Sequence, residues 1–459
     1  MGKIIRKILA AVLAVMLVAS MAACGAKTDQ AAAPAPEASS EAPAAEPAEE
    51  ASAPAEPAPA AENVSLTLWH IQTTEPMPTI IQDSVNRYMA DNPNSKVEVS
   101  VIQNDAFKTK LQIAMSSGTM PDIFPHWSGG PMNEYVESGK LADLTELMNA
   151  DNYKGRFMDA AVSQASYKDK IWAVPVENVS VAMFFYNKDL FTKYSLQVPT
   201  TTKELEAICE TLKKNGIIPF SLANKTQWTG SMYYMYLADR AGGAGVFNAA
   251  AARTGSFENE SFTQAGTVIQ DWVKKNYFNK GFNGLDEDSG QSRTLLYTGK
   301  AAMILMGSWF ISTVTGENKD FIGKVGSFPF PAIEGGKGEP NSVVGTVGDN
   351  FYSVASSCKN VPAAFKAVTY LIDDTAAAKR TEAGKIPPLK GVKVSDPLLQ
   401  AVLASVEKAP TVQLWYDQYL PPELAQVHKD TSQAIFGLQK TPEQVNKEME
   451  AAAAKFYGK

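Results

Sequence analysis

Cysteine is scarce in this 459-residue chain: Cys24, Cys209 and Cys358 are the only three. A small fold stapled by several disulfides is thereby excluded. Cys209 lies on the apolar stripe Leu205, Ile208, Cys209, Leu212 and reads as a buried, inert thiol. A Cys209–Cys358 bridge stays open in an oxidising compartment, although nothing in the spacing supports it. Histidine is equally rare, at His70, His126 and His428. The three form no ligand-spaced cluster with cysteine or with one another, so no metal site is expected. After residue 23 no apolar run is long enough to span a bilayer, which takes roughly 20 residues. An excess of one charge is missing too. The first 62 residues hold four Lys/Arg and eight Asp/Glu, leaving 38 against 41 of the chain's 42 and 49. That near-balance argues against nucleic acid as a partner, which calls for a concentrated basic surface.

Several chemical signatures are also absent. No Gly-Lys pair is followed by Ser or Thr, so there is no P-loop. The cluster Gly242-Gly243-Ala-Gly245 follows a Tyr-rich helix instead of a strand, against a dinucleotide site. His126-Trp-Ser-Gly-Gly130 has histidine where a nucleophile elbow needs its first glycine. Neither a catalytic residue nor a cofactor is expected.

What is present begins at the N-terminus. Lys3, Arg6 and Lys7 precede an uninterrupted small and apolar stretch over residues 8–23, and Met21-Ala22-Ala23-Cys24 resembles a bacterial lipobox. Residues 1–23 read as a lipoprotein signal peptide and Cys24 as the lipidated residue. Residues 24–62 are rich in Ala, Pro and Glu with almost no large apolar side chain, too little to offset ordering entropy, so a disordered linker is expected. Extended at about 3.1 Å per residue, it would reach on the order of 100 Å from a membrane. The expected location is the extracellular face of the cell membrane, on a lipid anchor.

The remaining 397 residues exceed what one hydrophobic core usually serves, so two lobes are expected. Val64-Ser-Leu-Thr-Leu-Trp69 alternates as a half-buried strand should, and Val97, Val99 and Val101 alternate again. Between them Ile81, Val85, Tyr88 and Met89 share a helical face; after them Phe107, Leu111, Ala114 and Met115 do, up to Gly118. Strands and helices in alternation predict α/β lobes, each a mostly parallel sheet flanked by helices. Thr201 with Glu204, and Thr441 with Gln444, carry capping-box spacing at two helix starts. Strand-like runs occupy 181–186, 302–306, 324–328 and 351–355.

Several blocks, in order, resemble the extracellular solute-binding proteins of bacterial ABC transporters, in the family that captures sugars and oligosaccharides. They include Ser117-Gly-Thr-Met-Pro-Asp-Ile-Phe124, Gly139-Lys-Leu-Ala-Asp-Leu-Thr145 and Ile171-Trp-Ala-Val-Pro175. Phe185-Tyr-Asn-Lys-Asp-Leu-Phe191, Pro199-Thr-Thr-Thr, Gly299-Lys-Ala-Ala-Met303, Gly307-Ser-Trp309, Phe328-Pro-Phe-Pro331, Lys359-Asn360 with Ala363-Ala364, and Pro410 with Trp415-Tyr-Asp417 continue the series. The resemblance implies a periplasmic-binding-protein-like fold with a ligand cleft between the lobes. Lobe 1 would take 63–173 and 345–388, and lobe 2 would take 174–344 and 389–459. It further implies a monomer that is not an enzyme, passing a neutral sugar to ABC permease subunits driven by a separate ATPase. A receptor for another small solute such as a polyamine, or a surface carbohydrate-active enzyme, are the alternatives.

A neutral sugar offers an apolar C–H face and a ring of hydroxyls. Tryptophan supplies flat area at little rotamer cost, and Asn, Asp, Gln and Glu supply directional partners. Such residues sit where strands end, the usual ligand position in open α/β sheets. The candidate ligand-binding residues are His70, Gln72, Thr73 and Thr74 after the first strand, and Trp127 and Ser128 after the third. Glu177 and Asn178 follow the first crossing, Asp349 and Asn350 follow Gly348, and the resemblance implies sugar stacking or hydrogen bonding at Trp228, Ser308, Trp309, Trp415 and Asp417. Trp172 and Trp272 read as packing residues.

Overall fold

The computed structural model describes residues 63–458; the signal segment, Cys24 and the linker lie outside the described residues. The first sheet grows from β1 (Val64–His70), whose Leu66 and Leu68 point into the core. It pairs in parallel with β2 (Ser95–Val101) over seven residues and with β3 (Ile123–His126). Two helices cover these strands, as the apolar spacing requires. Met77–Asp91 buries Ile81, Val85 and Tyr88, and Asn104–Ser117 buries Phe107, Leu111, Ala114 and Met115. The second helix stops where Gly118 turns left-handed at φ 71°, a conformation open to glycine at no steric cost.

A short hairpin, β4 (Ser166–Tyr167) and β5 (Lys170–Ile171), precedes β6 (Val174–Pro175). The chain then enters the second lobe with β7 (Val179–Asn187), followed by β8 (Ile218–Phe220), β9 (Ala301–Gly307), β10 (Val325–Phe328) and β11 (Val343–Val347). It returns with β12 (Phe351–Val354) and finally adds β13 (Val412–Gln413). The first sheet has the order β2-β1-β3-β12-β6; the second has β13-β11-β7-β9-β8, with β10 paired to β7.

The two-lobe α/β architecture is the expected one, but both sheets are mixed where mostly parallel sheets were predicted. β12 runs antiparallel to β3 and β6, and β7 runs antiparallel to β9, β10 and β11. The reason lies in where these two strands start. β1, β3 and β9 run toward the cleft and end in its loops. β7 and β12 each begin just after a crossing between the lobes, so they run away from it. Such a strand can join its sheet only in the opposite sense.

The second lobe is built around the Trp228–Gly242 helix, whose residues from Thr229 to Ala241 are all buried. Both capping boxes are present, Thr201 with Glu204 and Thr441 with Gln444. Trp272 is fully buried and donates its indole N–H to Glu206 at 2.9 Å; Trp172 is half-buried and donates to the Tyr167 carbonyl at 2.9 Å. Cys209 and Cys358 are buried free thiols. No described helix is long and apolar enough to cross a membrane.

Candidate functional site

The loops at the cleft ends of β1, β3 and β9 converge with two segments of the later chain on a cavity of about 240 Å³. That lies just under the roughly 300–1,000 Å³ of most small-molecule sites. From the first lobe come Gln72, Thr73, Thr74 and Trp127; from the second come Trp228, Trp309, Trp415 and Asp417. Asp349 and Asn350, between β11 and β12, also line it. Ten of the fifteen residues singled out from the sequence therefore meet around one cavity.

Three of the tryptophans form a continuous wall. Trp309 stands edge to face with Trp228 and with Trp415, ring centroids 5.9 Å apart in both pairs and planes inclined by 62° and 60°. Aromatic pairs in this arrangement contribute about 0.5–1.5 kcal/mol beyond their buried area. The wall depends on Gly307, the last residue of β9: a Cβ there would overlap the six-membered ring of Trp309. Trp127 belongs to the opposite lobe, its edge against Phe107 at 6.3 Å and the Lys108 ammonium 4.8 Å from its ring centroid.

Most of the formal charge around the cavity is already paired. Arg293 grips Glu317 with two hydrogen bonds of 3.0 and 2.7 Å and also donates to buried Glu287. The Lys385 ammonium donates to Glu177 at 2.9 Å and to the Gln72 side-chain oxygen at 3.2 Å. The Asp288 carboxylate accepts the backbone N–H of Asp105 at 3.2 Å, a contact between lobes at the first turn of the Asn104–Ser117 helix. Asp349 and Asp417 have no ion-pair partner among the described residues. Burial pushes the Asp349 carboxyl up to about 7 against the opposing pull of Lys385. Near neutrality it therefore offers a hydroxyl donor part of the time and an acceptor the rest. No group of His, Cys, Asp and Glu among the described residues has the geometry to hold a metal ion.

Five of the sequence-selected residues do not line the cavity. His70 and Ser128 are each 1% exposed, and burial lowers the His70 pKa to about 4, leaving it neutral. Glu177 is 1% exposed and closes a charge triad with Arg380 and Lys385. Asn178 donates to the Val179 carbonyl at 2.9 Å, and the Ser308 hydroxyl donates to that same carbonyl at 3.0 Å. Asn178 and Ser308 thus bind the crossing backbone, and a one-residue step along an extended chain turns a side chain to the opposite side.

The cavity also includes residues that pattern reasoning passed over: Asn104, Lys108, Glu287, Asp288, Arg293, Lys385 and Gln418. Asn104 and Lys108 obey the same strand-end rule, since they follow β2, and were within reach of it. Glu287, Asp288 and Arg293 come from a long segment before β9 that carries no local signal of its position.

The sequence profile described as bacterial extracellular solute-binding protein matches residues 72–378. An uncharacterized ABC transporter extracellular-binding protein of Pyrococcus horikoshii is 25% identical over 254 residues, 52% of this chain and 54% of that protein; the match spans about half of that relative's length. A solved structure connected with xylan utilization by the thermophilic bacterium Caldanaerobius polysaccharolyticus superposes with a TM-score of 0.80 at 33% identity, covering 84% of this chain and 99% of the other. A chitin oligosaccharide binding protein superposes with a TM-score of 0.79 at 24% identity, covering 86% and 100%.

Proposed function

This chain belongs to the bacterial extracellular solute-binding protein family, and on that premise we propose that it is the lipid-anchored capture subunit of an ABC importer for a neutral sugar or oligosaccharide. The observation that carries the reading is the cavity between the lobes, with tryptophans on both sides and its charges mostly paired internally. Indole faces cover the C–H face of a pyranose. Gln72, Asn350, Asp349 and Asp417 supply partners for hydroxyls stripped of water, each of which would otherwise cost about 1–3 kcal/mol. Glu287 and Glu317 are held by Arg293, which leaves Asp288, Asp349 and Asp417 as the lining carboxylates without a cation partner among the described residues, so a polyamine is the alternative that calorimetry tests.

In this reading the first lobe carries β1–β3, β6 and β12, and the second carries β7–β11 and β13. The hinge then runs through 176–178, 348–350 and the segment around Lys385. The ligand shifts the population toward a closed form, which a membrane permease recognises while a separate ATPase supplies the energy.

A glycan panel of xylo-, chito- and malto-oligosaccharides, followed by tryptophan fluorescence and calorimetry, tests the assignment. Saturable binding with the glycan recovered intact is expected; hydrolysis would place the chain among enzymes. Trp309→Ala and Trp127→Ala are each expected to weaken the best glycan at least tenfold, about 1.4 kcal/mol, without unfolding the protein. Unchanged affinity in both would remove the cavity from the binding site.

Anchoring is proposed from Met21-Ala22-Ala23-Cys24. Cys24→Ala is expected to release the protein into the medium when membrane and soluble fractions are compared. Continued retention in the membrane fraction would rule out the lipid tether.

A further inference from the structure

The residue before Trp228 has a backbone that glutamine rarely adopts. Gln227 sits at φ 64° and ψ −44°, and the Trp228 N–H donates back to the Thr226 carbonyl at 2.7 Å. This is the three-residue γ-turn of the rarer, strained hand. Strain of this kind persists only where its surroundings over-determine it.

Here those surroundings are visible. The Gln227 amide nitrogen donates to Asp430 at 2.8 Å and to Gln433 at 3.3 Å, and its oxygen accepts from Gln426 at 3.0 Å. All three partners lie on the Pro422–Phe436 helix. Gln433 reaches on to the Asn224 carbonyl at 2.6 Å, and the Asn224 side chain accepts the Gly230 N–H at 2.9 Å. The segment before the turn is thus tied to that helix, and the segment after it is tied back to Asn224. The turn delivers Trp228 to the cavity and against Trp309.

We propose that Gln227 is a positioning residue: its side chain holds the strained turn that sets the Trp228 indole into the ligand wall. The inference rests on the sugar-binding reading of that wall, but the placement of the indole is testable without any sugar. Neither the local apolar pattern nor helix propensity demands a glutamine at this point. A relaxed turn would start the Trp228–Gly242 helix equally well and leave the indole free to leave its contact with Trp309.

Two readouts separate the claims. Near-UV circular dichroism of the ligand-free protein reports the coupled Trp228–Trp309 pair, with Trp228→Ala defining the signal that is lost. Gln227→Ala is expected to lose most of that signal while the far-UV spectrum stays native. Calorimetric titration with the tightest-binding xylo-oligosaccharide of the panel then closes a double-mutant cycle. Gln227→Ala is expected to weaken binding about three- to tenfold in the native background and less than twofold when Trp228 is already alanine. A native near-UV signal in Gln227→Ala, or equal losses in both backgrounds, would overturn the proposal. Loss of the signal with unchanged glycan affinity in both single variants would uphold the positioning and overturn the sugar reading of the wall.

Discussion

Glu177→Ala is expected to lower folding stability by about 3–5 kcal/mol in chemical denaturation, the usual consequence of removing one partner from a buried ion cluster. Glu177 contacts Arg380 at 2.9 Å and Lys385 at 2.9 Å, and its side chain and that of Arg380 are 1% exposed, with Lys385 at 6%. The variant leaves Arg380 in the interior without its counter-charge, and leaves Lys385 at the edge of the cavity with only the Gln72 oxygen. Gln at this position keeps an acceptor for Lys385 and should lose less. The titration of the same carboxyl gives an independent check. Burial alone would raise its pKa, but Arg380 and Lys385 outweigh that and hold it at about 2 against an ordinary 4.5. A carboxyl depressed in the folded state stabilises above its unfolded pKa. Its contribution is therefore complete above about pH 4.5 and disappears as the pH falls toward 2. A loss within 1 kcal/mol for Glu177→Ala would mean that the cluster is solvated and that the crossing is held by other contacts.

A comparable effect on affinity is expected from two glycines that touch the opposite lobe. Gly130 opens the Gly130–Glu137 helix of the first lobe, and a Cβ there would overlap the Leu420 carbonyl of the second. Gly316 lies in the Phe310–Glu317 helix of the second lobe, and a Cβ there would overlap the Glu75 carbonyl of the first. Both have ordinary helical-side φ, so alanine suits each helix and is the better helix former. The clash falls entirely on the approach between lobes. If the lobes close on ligand as proposed, Gly130→Ala and Gly316→Ala should each weaken glycan binding about a hundredfold, about 2.7 kcal/mol, with thermal stability near native. Small-angle scattering should show the native protein compacting on glycan addition and both variants staying extended. Native affinity together with ligand-induced compaction in both variants would mean that binding does not require this approach of the lobes.

The two kinds of effect separate the functions of the cleft. Glu177 does not line the cavity, yet its ion pairs with Arg380 and Lys385 secure the crossing on which the walls are mounted. Gly130 and Gly316 carry no chemistry, and they matter only where backbones from different lobes nearly touch. Neither role is visible in residue type. Glutamate after a crossing suggested a hydrogen-bond partner for sugar, and the structure instead buries it with two cations. Asn178 was singled out on the same grounds and Ser308 from the family resemblance, and both bind the crossing backbone. The tryptophans behaved differently. Trp127 was identified by its place in the loop after the third strand, and Trp228, Trp309 and Trp415 by the family resemblance, and all four border the cavity.

Local order in the chain was sufficient to determine the helices with their caps, the strands, and the placement of aromatic side chains in loops, because those depend on neighbours within a few residues. Tertiary structure alone decided which side of each loop meets the cavity, because Trp228, Trp309 and Trp415 lie about a hundred residues apart and become neighbours only through the second sheet. The same holds for strand direction, set by where the chain crosses between lobes, and for the charge of the cleft. Arg293 pairs with Glu287 and Glu317, and Glu177 with Arg380 and Lys385, through contacts that composition cannot reveal.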